Sequence, residues 1–257
     1  MTEPKSRSEL RDGDIQAVTR CAEILRMLAT DQTVRAADVA AGLGLQRSTA
    51  HRYLASMANA GLIERGEDGA FEPGPIAVHL GAAAMRRARV LEIAAPYMAA
   101  LSAESHETVV LSLWGGRGAV VTRVEMDTDR LAVVHVPEGR ELPLNAAQSL
   151  VFLAYLPDRQ LVDRLLSSLS MPVRHDIEQS IQQVKSDGMG AHSMVVQGIH
   201  AVAAPVFDAR GVICTTVALI GTSDTLVAGP ESGLWKALKA TAEQISAHLG
   251  HASVPPA

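Results

Sequence analysis

The sequence predicts an α+β protein in two parts: a small helical unit closed by a β-hairpin, then, after a helical connector, an antiparallel sheet flanked by helices. Three observations carry this. Apolar residues recur at helical spacing in IQAVTRCAEILRMLA (15–29), at Ile15, Val18, Ala22, Leu25 and Leu28. LIERGEDGAFEP (62–73) sets two short strand-like runs around Glu67-Asp68-Gly69, a hairpin signal. From residue 91 the pattern changes to apolar strand runs joined by glycine turns, with helices before, between and after them.

In chain order, residues 1–14 are polar and are expected to form a disordered tail. The 15–29 helix is followed by VRAADVAAGLGL, a short helix ended by the Gly42 to Gly44 turn, with Arg35 where a Ser or Thr cap is usual. A third helix spans 46–60 and stops at Gly61. Three helices and a hairpin describe a winged helix-turn-helix over 15–74, closed by Pro73-Gly74-Pro75. IAVHLGAAAMRRARVLE supplies the connector helix over 75–90. The second unit, 91–250, opens with the helix LEIAAPYMAALSAES and the strands TVVLSLW and AVVTRVEM, joined by Gly115-Gly116-Arg117-Gly118. A third strand is expected at RLAVVHV (130–136), then helices over 146–156, 158–168 and 175–187. Two apolar strands, HAVAAPVF and VICTTVALIG, flank the turn Asp208-Ala209-Arg210-Gly211, and a last helix covers 231–249.

Composition narrows the classes. With 47% hydrophobic and 20% charged residues, the chain is globular rather than disordered. Its apolar runs all fall short of the roughly 20 residues that span a bilayer. The opening MTEPKSRSELRDGD lacks the apolar stretch of a signal peptide, so a cytoplasmic location is expected, without membrane contact. Cys21 and Cys214 lie far apart in apolar surroundings, which disfavours a disulfide or a metal site. His135, His192 and His200 lack metal-ligand spacing, and neither a metal nor another cofactor is expected. The net charge of −5 divides into +1 over residues 1–90 and −6 over 91–257. The acidic excess therefore belongs to the second unit and says nothing against DNA at the first, since a DNA reader needs only a local basic face.

The stretch GLGLQRSTAHRYL (42–54) carries the functional signal. At about 100° per residue, Gln46, Ala50, Tyr53, Leu54 and Met57 gather on one arc, and Arg47, Ser48, His51, Arg52, Ala55 and Asn59 on the other. A helix entering the major groove N-terminus first presents such early side chains to base edges, while hydroxyls and backbone N–H groups hold phosphates. Arginine can bond both acceptors of guanine. In an isolated helix the same pattern would be a solvated face; between a glycine turn and a wing hairpin it reads as a DNA-reading helix. The candidate DNA contacts are Arg35, Gln46, Arg47, Ser48, Thr49, His51 and Arg52. Arg86, Arg87 and Arg89 either touch phosphates beside the groove or are solvated.

The order IQAVTRCAEILRMLA, ADVAAGLGLQRSTAHRYLASMANAGLIER, DGAFEPGP resembles the N-terminal domain of IclR-type bacterial transcription regulators. The resemblance continues through ELPLNAAQSLVFLAYLP, SDGMGA and GIHAVAAPVFDARGVICTTVALIG, covering roughly 15–249. It implies a GAF-like effector-binding second domain, a homodimer or homotetramer, and a near-palindromic operator whose affinity a small molecule controls. Position by position, it implies that Leu131, Val134 and Leu142 line the effector cavity. Gln148 and Ser149 stand where relatives have a small pair whose N–H groups can face a carboxylate. Ala191 stands where relatives often have Asp, Ala201 where they often have Cys, and Ala218 and Ile220 where binders of small acids commonly have Ser.

These departures remove the partners of a small oxoacid, and burying a carboxylate without partners is costly. An apolar or aromatic compound with one polar end fits better, with Gln148, Ser149, Asn145 or His192 meeting that end. The alternative is that these residues only pack a tighter core. An enzyme is the rival class, but the sequence contains no GxSxG elbow, Walker loop or GxGxxG following a strand. A DNA-binding protein blind to small molecules is the other. Repressor is slightly favoured over activator, though both share these residues.

Overall fold

The computed structural model describes residues 15–87, 89–127, 133–193, 198–222, 226 and 229–252; the expected tail at 1–14 and Leu131 lie outside them. The described residues form two compact units, one ending at residue 87 and the other beginning at Arg89.

The first unit contains α1 (Gln16–Asp31), α2 (Ala36–Leu43), α3 (Arg47–Asn59), β1 (Ile63–Arg65), β2 (Phe71–Pro73) and α4 (Pro75–Arg87). Its core is a single cluster in which Ile24 and Leu28 of α1, Val39 of α2 and Ala50, Leu54 and Met57 of α3 meet Ile63 and Phe71 of the hairpin. The buried faces of α2 and α3 follow the 3.6-residue period, but α1 meets the core through Ile24 and Leu28, while Ile15 and Val18 of its expected apolar stripe are exposed. β1 and β2 pair antiparallel, Ile63 opposite Pro73. Val34, just before α2, bridges Phe71 through N–H···O bonds of 2.9 and 2.8 Å in the two directions. The wing is therefore hydrogen-bonded to the residue from which α2 departs. Gly44 ends α2 at φ +61°, the left-handed conformation that glycine adopts without penalty.

The second unit contains α5 (Val90–Ser105), β3 (Thr108–Trp114), β4 (Ala119–Glu125), α6 (Ala147–Tyr155), α7 (Arg159–Ser167), α8 (Met171–Asp187), β5 (Gly190–Ser193), β6 (His200–Phe207), β7 (Ile213–Gly221) and α9 (Gly233–His248). Its strands form one antiparallel sheet in the order β4-β3-β7-β6-β5. Val110, Ala201, Ala203, Ala218 and Ile220 belong to the core shared with α6 and α8. Alternate residues point the other way, toward the face that α5 and α9 cover.

Two expectations change. RLAVVHV forms no strand among its described residues, 133–136. The edge of β4 is instead taken by the chain just beyond it: Gly139 N–H donates to Val121 O, Val121 N–H to Arg140 O and Leu142 N–H to Ala119 O, at 2.7–2.9 Å. α8 begins at Met171, not at 175, because Ser170 is extended and Pro172 fits the first turn of a helix. β5 was not foreseen.

Candidate nucleic-acid interface and effector face

α3 divides cleanly. Ala50, Leu54 and Met57 are fully buried, while Arg47, Ser48, His51 and Arg52 are exposed and Thr49 and Tyr53 are half-buried. The helix RSTAHRYLASMAN has two arginines and a histidine but no carboxylate. Among the described residues no carboxylate is paired with Arg47 or Arg52, so the exposed face is electropositive at its N-terminal end. Gln46 departs from the helical-wheel expectation. It is extended (φ −67°, ψ 143°), stands one step before helical rotation begins, and is exposed rather than on the apolar arc.

Arg35 is engaged. Its guanidinium donates to the Asp68 carboxylate at 2.7 Å and to the Asp68 carbonyl at 3.2 Å, and its own N–H is taken by Asp38 Oδ2 at 3.0 Å. A guanidinium has no acceptor with which to cap α2, so it reaches across to the wing tip instead. Asp68 in turn accepts from Ala70 N–H at 3.0 Å.

The candidate effector residues of the second unit fall mostly on the α6 side of the sheet. Ala218 (0% exposed), Ile220 and Ala201 project there from adjacent strands, with Ile220 opposite Ala201 in register. Leu142 is buried in the same core and Val134 half-buried against it, its carbonyl accepting from Thr108 Oγ1 at 2.8 Å. Ser149 Oγ accepts from Ala119 N–H at 3.0 Å and donates to Leu142 O at 3.5 Å, which fastens α6 to β4. Gln148, 2% exposed, donates from Nε2 to Val110 O at 3.2 Å and to Thr216 Oγ1 at 3.4 Å. Gly190 lets β5 lie close to α6: a Cβ there would approach Ala147 O to 2.7 Å.

Ala191 is a correction. It pairs with Val202, not with Ala201 or Ala203, so the strand pleat turns it to the opposite face of the sheet, and it is exposed. The His192 side chain lies outside the described residues. Ser112 and Trp114 were missed by the sequence reading. Both share the α6-side parity of Val110 on β3, and the Trp114 ring packs on Phe152 of α6 at 5.6 Å between centroids. The signal available was a polar residue at an inward position of the apolar strand TVVLSLW.

Cys214 Sγ donates to Val206 O at 3.5 Å, and burial pushes the thiol up to about 11, which leaves it protonated at neutral pH. No cluster of metal-ligating side chains occurs among the described residues. An open groove of about 380 Å³ lies between α7 and α8, lined by Arg159, Asp163, His175 and Glu178 among others, and includes none of the candidate effector residues.

Residues 17–67 match the IclR helix-turn-helix domain, and residues 82–247 match the bacterial transcriptional regulator IclR C-terminal domain. The chain belongs to the IclR family of bacterial transcriptional regulators. Among curated IclR-family members, it is 32% identical over 221 residues to the HTH-type transcriptional regulator Rv1719 of Mycobacterium tuberculosis, covering 82% of this chain and 83% of that protein. It is 28% identical to the transcriptional repressor IclR of Escherichia coli, with 76% of each covered. Among solved structures, Pseudomonas aeruginosa HmgR is 29% identical and superposes with a TM-score of 0.66, over 92% of this chain and 100% of that one. An IclR homolog from Microbacterium hydrocarbonoxydans complexed with 4-hydroxybenzoate shares the fold, with a TM-score of 0.66 at 18% identity over 91% of this chain and 99% of that one. Among the described residues no helix is long and apolar enough to cross a membrane.

Proposed function

We propose that this IclR-family regulator reads a near-palindromic operator with α3 and that a small molecule bound on the α6-side face of the second unit sets its operator affinity. In this reading residues 15–74 bind DNA, residues 91–250 bind the effector and residues 75–90 carry the signal between them. The observation that carries it is the exposed face of α3, where Arg47, Ser48, His51 and Arg52 stand on a helix without a carboxylate whose other face is fixed in the core. Such a surface supplies both phosphate contacts and bidentate base readout. The protein acts as a repressor, the role stated in the name of the Escherichia coli relative.

A homo-oligomer, dimer or tetramer, is supported by apolar side chains left in solvent on the first unit. Val78 and Leu80 of α4 are 66% and 64% exposed, and Ile15 and Val18 at the start of α1 are similarly open. Two copies related by a two-fold axis would present two reading helices to the two half-sites of the operator. The protein is not an enzyme in this reading: the buried thiol of Cys214 is protonated, and no motif for nucleophilic or phosphoryl chemistry stands in the sequence. A cytoplasmic location follows from the role.

The effector is an apolar or aromatic compound. Ala201, Ala218 and Ile220 offer no hydrogen bond where an oxoacid would need one, and the ligand of the Microbacterium relative is an aromatic ring with polar ends. A second reading, a regulator blind to small molecules, is supported by Ser149, whose hydroxyl is used twice inside the fold. Footprinting on the DNA upstream of its own gene, with and without a panel of aromatic and short aliphatic compounds, separates the two. Protection that a compound relieves or strengthens supports an effector; protection that none alters supports the second reading. Absence of any protected site contradicts both.

A further inference from the structure

Among the described residues, three buried side-chain atoms have no hydrogen-bond partner: Ser112 Oγ, Trp114 Nε1 and Gln148 Oε1. They belong to one layer. Ser112 and Trp114 follow Val110 along β3 at the two-residue period that keeps them on the α6 side, and Ser112 lies opposite Thr216 in register. Gln148 reaches that same Thr216 from α6, with Nε2 3.4 Å from Thr216 Oγ1. Phe152, one helical turn after Gln148, carries the ring against which Trp114 packs. The pair Ser112 and Trp114 on the strand therefore runs alongside the pair Gln148 and Phe152 on the helix.

The orientation of the Gln148 amide is fixed by its surroundings. Its nitrogen faces Val110 O at 3.2 Å and Thr216 O at 3.5 Å, and turning the amide over would set its oxygen against these two carbonyls. Its oxygen is thus the unpaired acceptor. The other tryptophan shows the ordinary outcome, with Trp235 Nε1 donating to Leu226 O at 2.9 Å. Unpartnered buried polar atoms are rare because each has given up water for nothing, and three in one layer call for a common partner.

We propose that Ser112, Trp114 and Gln148 form the polar end of the effector site and recognise a neutral hydroxyl on an aromatic or apolar compound. The proposal rests on the effector reading above. The indole N–H donates to the hydroxyl oxygen, the hydroxyl hydrogen goes to Gln148 Oε1, and Ser112 Oγ completes the set as donor or acceptor. Among the described residues the buried polar side chains include no Lys, Arg or His, so a carboxylate placed here would keep its charge without compensation. Selection for a hydroxyl over a carboxylate follows, and Phe152 and Ala218 present the apolar surface beside it.

Calorimetric titration of the full-length protein with 4-methylphenol, toluene and 4-methylbenzoate tests this, since the three differ only in the group at one ring position. 4-Methylphenol is expected to bind about tenfold more tightly than toluene, with 4-methylbenzoate the weakest. Trp114→Phe should weaken 4-methylphenol about fivefold more than it weakens toluene, so that the preference between the two narrows. Ser112→Ala, a smaller change, should act in the same direction. Preference for 4-methylbenzoate overturns the proposal, as does Ser112→Ala raising the melting temperature without altering any affinity, the mark of a merely buried hydroxyl. Binding of none of the three also overturns it. After any of these three failures the effector reading survives if another compound releases operator DNA, and falls with the proposal if none does.

Discussion

The guanidinium of Arg35 donates to the carboxylate of Asp68 at 2.7 Å, tying the first residue before α2 to the tip of the wing. Both side chains are more than half exposed, so the pair contributes little to stability, about 0–1 kcal/mol. Its consequence is geometric: it holds the wing tip over the start of the helix pair.

Asp68→Ala should therefore leave the melting temperature within about 2 °C of the parent and weaken operator binding by only about twofold to fivefold. Fluorescence anisotropy on operator DNA at two salt concentrations checks this. A large loss of stability would show that the turn, not the pair, is what Asp68 supports.

Ser149→Ala should destabilise the second unit by about 1–3 kcal/mol, because it leaves the buried N–H of Ala119 without an acceptor. Urea unfolding followed by near-ultraviolet circular dichroism reads this directly. An unchanged midpoint would mean that the β4 edge and α6 are held by apolar contact alone.

Cys214 should resist alkylation in the folded protein at pH 7–8, since burial raises its thiol to about 11 and the thiolate is scarce below that pH. Iodoacetamide labelling followed by peptide mass spectrometry compares the native protein with a sample unfolded in urea. Rapid native labelling at Cys214 would contradict the burial described for β7.

Asp208 holds the β6–β7 turn by accepting from Val212 N–H at 3.0 Å and from Arg210, and these contacts keep its carboxyl below the ordinary range. A carboxyl with a lowered folded pKa contributes stability above the ordinary carboxylate range and loses it as pH falls through the folded value. Asp208→Asn should therefore lower stability at neutral pH and flatten the acid limb of the stability profile. Parallel profiles for the two proteins would contradict the assignment.

The first unit was legible because its helices show an apolar period and its turns carry glycine, although the stripe expected for α1 included Ile15 and Val18, which are exposed, and missed Ile24, which is buried. Gln46 was misplaced because a wheel extends helical rotation to a residue that is still extended. In the second unit most strands were legible from apolar runs, but sheet order was not. RLAVVHV looks like a strand, yet the β4 edge is occupied by residues 139–142, a choice made by tertiary hydrogen bonding rather than by local pattern. β5 is four residues long and includes a glycine, too short for alternation to register. The candidate effector face was legible only through resemblance. Ala191 fell out of it because one step along a strand reverses the side chain. Ser112 and Trp114 gave no signal apart from one polar residue at an inward position, whose meaning depends on what α6 sets opposite it.

The measurement that tests the account most directly is binding of the full-length protein and of Arg52→Ala to the DNA upstream of its own gene, titrated against salt. Specific binding by the parent is expected. Arg52→Ala should lose affinity on the order of tenfold to a hundredfold, with an unchanged melting temperature. Equal affinity of the two proteins for that DNA, both correctly folded, would contradict the assignment of α3 as the reading helix.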